Sequence, residues 1–418
     1  MNNLVILTSS FPYEGGEQFI ESEVHYWAKT GFNNVYILPE KSPTQVVRYF
    51  PNELIILQRF EVNSYSKLFI LLFIVFYPLF WKEIFYLIKS NSLKIANVIN
   101  AAKAVFGTKV REKQLKHSLK NIDGDILIYS YWNDVDCYAA CELKNKNKNK
   151  NKNKIKAVVS RSHRYDLYEE FRGNAYMPLK RQYSEKISKV FLLTKSASNY
   201  YNRTYGYPNN VLDVASLGVF LPEKTLAYSK SGGVLRVLSV SNCIHIKRVD
   251  KIIDALDVFS KANDIEVQWT HIGNGVLLEK LKQQAEEIGE NALFKYNFVG
   301  FIPNAEVKQL LSQQNFDLFV NASESEGVPV SIMEAMSYSI PVIAPDVGGI
   351  SDIVNDLTGK LLSSNPSLKE IADAIQEIYY SSSYPSYREN AFLMVKENYN
   401  ADSNYINFIK KLSQILNE

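Results

Sequence analysis

Three cysteines in 418 residues exclude a disulfide scaffold. Cys137, Cys141 and Cys243 lack zinc-site spacing, and Cys137 and Cys141, one helical turn apart, read as a buried reduced pair. The opening residues, MNNLVILTSSFP, lack a basic stretch followed by a long apolar one, so no secretory leader is expected and a cytoplasmic location is the default. The fingerprint Gly-x-Gly-x-x-Gly is absent, which argues against a nicotinamide enzyme. The apolar run Leu68–Trp81 covers 14 residues and contains Pro78; a spanning helix needs roughly 20. Charge of one sign is missing as well. There are 47 basic and 44 acidic residues, and six of the lysines sit in one Lys-Asn tract from Lys144 to Lys154. Without that tract the balance turns from +3 to −3, so no nucleic-acid partner is expected. The tract is low in complexity and reads as an exposed loop.

What is present is a repeated alternation of short apolar strands and helices, in a chain long enough for two domains. In the first half, strands are expected at Leu4–Leu7, Val35–Leu38, Leu54–Leu57, Asp125–Tyr129, Ala157–Val159 and Lys189–Leu193. Residues 220–233, polar and carrying Pro222, Gly232 and Gly233, suit an interdomain linker. A second alternation starts at Leu235–Val240 and continues through Val267–Ile272. The stretch Asn321–Ile353 organises this half: strand, acidic loop, Pro329, an apolar helix stripe (Ile332, Met333, Ala335, Met336), a strand at Pro341–Ala344 and the turn Gly348-Gly349. Loops at the carboxyl ends of parallel strands are where open α/β sheets bind ligands. Carboxylates there accept hydrogen bonds from sugar hydroxyls, while helix N-termini and glycine amides face phosphate.

With Glu326 and Glu334 eight positions apart and the run EAM…PVIA…GG behind them, this stretch resembles the signature of retaining GT-B glycosyltransferases, glycosyltransferase family 4 (group 1). The resemblance is specific over residues 235–360, weaker at 1–30 and 155–220, and poor at 60–150. It implies an α/β GT-B fold, two facing Rossmann-like domains with a cleft between them. The expected boundaries are 1–218 on the acceptor side, 219–398 on the donor side, and a helix at 399–418 crossing back. The implied reaction moves a sugar from a nucleoside diphosphate sugar to an acceptor hydroxyl with retention of configuration. It uses the nucleotide sugar as co-substrate, with no resident cofactor and no metal.

Carried over by position, Glu326 holds the donor sugar and Glu334 the ribose, with Gly327, Val328, Pro329 and Val330 lining the donor site. Lys247, in the loop SNCIHIKR, meets the donor diphosphate. Where the family carries an Arg this chain has Asn242, a departure for which Arg248 is a candidate compensation. Gly273, in Gly273-Asn-Gly275, lies beneath the donor, and backbone groups at Phe301 and Ile302 read the base. In the first half, Gly15 and Gly16 face the donor phosphates, and His163 lies against the donor sugar within Ser160–Asp166. Glu17, Trp132 and Asp166 are acceptor-side candidates, Glu17 with loop support as the competing reading.

Two readings remain for Lys67–Lys89 (KLFILLFIVFYPLFWKEIFYLIK): a helix buried between layers, or a helix at a membrane interface anchored by Tyr77, Trp81 and the flanking lysines. The helical, basic stretch Ser92–Lys120 adds attraction to anionic lipid, so residues 67–120 would make peripheral contact with the inner leaflet. On that basis the acceptor is a saccharide or lipid-linked saccharide in capsule, O-antigen or exopolysaccharide assembly. Two other function classes stay open: a non-catalytic membrane-surface scaffold for a glycan assembly complex, and a GT-B sugar-nucleotide epimerase or phosphorylase.

Overall fold

Mostly apolar strands of three to seven residues build two all-parallel sheets in the computed structural model. The structure describes residues 1–13, 17, 19–41, 48–148, 154–223, 227–229, 232–288 and 293–416. The chain divides into two units, residues 1–215 with 405–418, and residues 216–404.

In the first unit the strands are β1 (Asn2–Thr8), β2 (Asn34–Pro39), β3 (Leu54–Ile56), β4 (Asp125–Ser130), β5 (Ile155–Arg161), β6 (Lys189–Leu192) and β7 (Leu212–Val214), in the order β3-β2-β1-β4-β5-β6-β7. Its helices are α1 (Ile20–Trp27), α2 (Ser64–Leu72), α3 (Pro78–Lys89), α4 (Ile95–Ser118), α5 (Val135–Lys148), α6 (Arg164–Leu167) and α7 (Lys195–Tyr205). β1 is buried along almost its whole length because both sheet faces are covered, the reason parallel strands read as continuous apolar runs.

The second unit orders β8 (Val234–Val240), β9 (Glu266–Ile272), β10 (Phe294–Gly300), β11 (Leu318–Val320), β12 (Val342–Pro345) and β13 (Gly359–Leu362) as β10-β9-β8-β11-β12-β13. Its helices are α8 (Val249–Asn263), α9 (Leu278–Ile288), α10 (Asn304–Gln313), α11 (Val330–Ser337), α12 (Leu368–Tyr380) and α13 (Tyr384–Asn398). α14 (Ala401–Ile415) belongs to the first unit from Tyr405 onward, where Phe408 packs edge-on against Tyr129 and Phe191 at 5.2 and 5.0 Å. In both sheets the winding direction reverses beside the first strand of the unit, between β1 and β4 and between β8 and β11. A doubly wound sheet binds ligands at such switch points.

The apolar run 68–81 is not one helix, and only one side of it is buried. It breaks into α2, a 3-10 turn at Ile74–Phe76, and α3. Pro78 explains the break: it holds Tyr77 extended (φ −82°, ψ 123°) and sits at the first position of α3, where its missing N–H costs nothing. The Lys-Asn tract is also not wholly loop, since its first residues extend α5 to Lys148; residues 149–153 lie outside the described residues.

Candidate functional site

β8 and β11 are hydrogen-bonded neighbours, so the loops leaving their carboxyl ends must meet. The first runs from Ser241 through a 3-10 turn at His245–Lys247; the second runs from Asn321 to Pro329 and opens α11. The Glu324 N–H donates to the Ile246 carbonyl at 2.9 Å, tying one loop to the other. There Lys247 Nζ meets Glu326 Oε1 at 2.5 Å, and Asn321 Nδ2 approaches the same oxygen at 3.3 Å. Glu326 is 6% exposed and still keeps one ammonium in contact. The turn after β12 closes on this loop from the far side. Gly348 has φ +62°, and a Cβ there would lie 1.8 Å from the Glu326 carbonyl oxygen, so only glycine fits. Gly349 N–H donates to the Gly327 carbonyl at 2.8 Å.

Glu334, on α11, is buried, and burial raises its pKa against the opposing pull of an Asn304 hydrogen bond and the Lys308 charge. Asn304 Nδ2 donates to Glu334 Oε1 at 2.6 Å. Val328 is buried, Gly327 and Val330 are half-buried, and Pro329 caps α11. Gly273 approaches the β8 loop so closely that a Cβ would sit 1.9 Å from the Ser241 carbonyl oxygen. Its N–H donates to the Gly300 carbonyl at 2.9 Å, which draws the loop of Phe301 and Ile302 to the same sheet edge. Phe301 is 71% exposed. Arg248, the candidate for the place left by Asn242, is engaged by acidic side chains of its own unit. It bonds Asp250 and Glu324, at 2.9 and 2.8 Å, and Asn242 itself is exposed.

In the first unit the corresponding switch point joins the loops after β1 and β4. Glu17 accepts from the N–H groups of Ser9, Ser10 and Phe11 at 2.8–2.9 Å and from Trp132 Nε1 at 2.7 Å. Both its oxygens are engaged, so Glu17 shapes the loop, the competing role given to it above. Gly15 and Gly16 lie outside the described residues. Asp166, buried after β5, is spent in the same way: it accepts from the N–H groups of Asn133 and His163, at 2.5 and 2.6 Å, and from Ser162 Oγ at 3.0 Å.

His163 stacks among Phe19, Tyr131 and Trp132, with ring centroids 4.9–5.0 Å away. Burial, then the nearby Arg161 guanidinium, depresses its pKa well below the ordinary value, so the ring is neutral. Its Nε2 is buried with no hydrogen-bond partner among the described residues. A buried ring nitrogen left open in this way can receive a ligand hydroxyl. In the same unit a cavity of about 520 Å³ is lined by Asn100 and Lys103 of α4, by Asp134, Tyr165 and Asp166, and by Arg172.

The metal-free site is expected with no Asp-x-Asp motif apparent, yet the chain carries two such pairs, Asp123–Asp125 and Asp134–Asp136. Asp123 and Asp125 flank the amino end of β4, and Asp136 is held by Arg111 at 2.8 and 2.9 Å. No group of three or more His, Cys, Asp or Glu among the described residues could hold a metal ion.

Residues the sequence did not single out complete the picture. Asn304 and Asn321 serve the two glutamates, and their partners lie 30 and five positions away. A wholly buried Glu23–Arg161 ion pair lies below His163, with Arg161 stacked 4.0 Å from Phe408. Strand alternation alone carries no signal for such partners.

Residues 227–392 match the family model described as "Glycosyl transferases group 1". The chain is 32% identical over 156 residues to the O-antigen biosynthesis glycosyltransferase WbnH of Escherichia coli, covering 37% of this chain and 40% of WbnH. It is 28% identical over 155 residues to the amylovoran biosynthesis glycosyltransferase AmsK of Erwinia amylovora, covering 36% and 37% of the two chains. The matches thus span about two-fifths of these curated relatives. Among solved structures, the lipopolysaccharide outer core galactosyltransferase WaaB aligns over 99% of both chains with a TM-score of 0.68 at 16% identity. Anabaena HepE in complex with UDP and glucose aligns over 98% and 99% with a TM-score of 0.63 at 16% identity. The fold is GT-B.

Proposed function

We propose that this chain is a retaining glycosyltransferase that moves a sugar from a nucleoside diphosphate sugar to an acceptor hydroxyl during assembly of a cell-surface polysaccharide. The observation that carries the reading is the meeting of Lys247 and Glu326 at the switch point of the second sheet, with Glu334 on the helix that follows. The family match over that unit and the polysaccharide roles in the names of WbnH and AmsK support it.

On this reading the donor opens the resting pair. Its diphosphate takes Lys247 and the amides at the start of α11, and its sugar hydroxyls take Glu326. The ribose takes Glu334 in place of Asn304, and the base lies at Phe301–Ile302. As the bond between the anomeric carbon and the phosphate oxygen breaks, negative charge grows on the diphosphate and Lys247 stabilises it. Glu326 orients the sugar while positive charge develops at its carbon. The acceptor oxygen forms the new bond on the face the diphosphate leaves, and its proton passes to the departing phosphate oxygen. No metal or resident cofactor enters this scheme, and the reaction is placed on the cytoplasmic side.

The test is thermal stabilisation by UDP-, GDP-, ADP- and TDP-sugars, for wild type and Glu334→Ala. A ligand that binds only the folded state raises apparent stability. One nucleotide class stabilising wild type and not the variant is expected. No shift with any nucleotide on folded protein would overturn the reading in favour of the scaffold. Product of inverted configuration would overturn retention alone.

A further inference from the structure

α2 and α3 are apolar on two sides. Ile70, Leu79, Phe80 and Leu87 face inward and are buried. The opposite side, which a helix of a water-soluble surface fills with polar groups, carries Phe69, Leu72, Phe76, Trp81, Phe85 and Ile88, each 56–73% exposed. The face continues onto α4 through Ile95 and Ile99, 82% and 47% exposed. Patches of this extent mark interaction surfaces.

Charge decides what covers it. Lys67, Lys82, Lys89, Lys94 and Lys103 are exposed along these helices. Between Glu61 and Glu112 the one acidic residue is Glu83, which is buried and accepts from Tyr176 Oη at 2.7 Å and the Leu179 N–H at 3.0 Å. The charged side chains that this stretch exposes are therefore all basic. A second copy of this chain would set lysines against lysines across a two-fold interface, an unfavourable match. Aromatic and aliphatic side chains bordered by lysines on helices too short and broken to span instead fit the interface of a bilayer.

The patch also leads to the cavity described above. Ile95, Ile99 and Lys103 are spaced four apart on α4, on one face, and Lys103 lines the cavity. The Glu83–Tyr176 hydrogen bond fixes α3 to Tyr176, another lining residue.

We propose that α2, α3 and the start of α4 dock this protein onto a bilayer carrying anionic lipid, and that docking sets the cavity at Lys103 and Arg172 at headgroup level. There it receives the polar end of a lipid-anchored saccharide. The second part rests on the glycosyltransferase reading; the docking does not.

The experiment is co-flotation of the full chain with phosphatidylcholine vesicles, with and without phosphatidylglycerol. Wild type is expected to float with the anionic vesicles. Replacing Phe76, Trp81 and Phe85 by Ser, all exposed, is expected to abolish flotation without lowering the melting temperature. Lys67→Gln, Lys82→Gln and Lys89→Gln together are expected to weaken binding to anionic vesicles by about tenfold or more, an effect erased by salt. Folded wild type that stays unbound, or serine variants that float equally, would overturn the proposal. So would a wild-type dimer that the serine variants dissolve and that floats with neither vesicle. Glu334→Ala is expected to float like wild type, which separates failure of docking from failure of the donor site.

Discussion

The two units place polar side chains at their strand ends in opposite ways. In the first, Glu17 and Asp166 direct their oxygens mainly to backbone N–H groups of their own and adjoining loops. In the second, Lys247, Glu326 and Glu334 hold other side chains, which can swing away. A carboxylate bound by several amides is framework, since releasing it strands buried donors. A carboxylate bound by one flexible partner can trade that partner for a ligand. The contrast separates residues that build the shape of a site from residues that exchange contacts within it.

Substitutions can break this contrast, and the largest effect is expected in the second unit. Lys247→Ala and Glu326→Gln should each lower the rate of sugar transfer by about 10²–10³-fold, the scale of removing one charge-stabilising contact. Glu326→Gln should melt close to wild type, while Lys247→Ala, which leaves Glu326 buried without its cation, should lose some stability. Because the two side chains touch, the double variant should lose less than the product of the single losses. Steady-state rates with the cognate donor check this.

Glu17→Ala should do the reverse. Three backbone N–H groups and the Trp132 indole lose their acceptor, and urea unfolding should report a loss of about 3 kcal/mol. Glu17→Ala as stable as wild type would erase the distinction between the units.

Smaller effects come from pH. His163 has a folded pKa below its unfolded value, so the unfolded chain binds the extra proton and stability falls as pH drops below about 6.5. Buried His271, lowered to about 4, contributes with the same sign. His163→Phe keeps the ring stack and should flatten the dependence of melting temperature on pH between about 5 and 7.

Glu334 behaves oppositely. Burial holds its pKa above the unfolded value, so its favourable contribution is present below the ordinary glutamate range and is lost as pH rises through the folded value. Glu334→Gln should therefore melt slightly above wild type at neutral pH, by under about 1 kcal/mol, with the gap closing in acid. It should bind nucleotide sugar more weakly. Calorimetry at two pH values, with and without donor, checks both parts.

Much of this was legible in the chain because parallel strands buried on both faces must be apolar runs. Leu4–Leu7, Asp125–Tyr129 and Leu235–Val240 fall within β1, β4 and β8. Lys247 and Glu326 stood out through the family resemblance; they lie in the loops that leave β8 and β11, strands that are sheet neighbours. The short edge strands β7 and β13 carry too few apolar residues to stand out. Long-range partners such as Asn304 for Glu334, or Arg111 for Asp136, depend on packing that no local pattern encodes. The break at Tyr77–Pro78 was readable from the proline; the outward orientation of the two helices was not, because an apolar run looks the same whichever way it faces.

The resting contact between Lys247 and Glu326 also bears on competition in a crowded solution. Free inorganic phosphate could claim the ammonium only by leaving the carboxylate buried without its cation. A nucleotide sugar offers phosphate to one and hydroxyls to the other in a single event. On the proposed reading the pair works as a coincidence check: abundant simple anions are rejected and the complete donor is admitted.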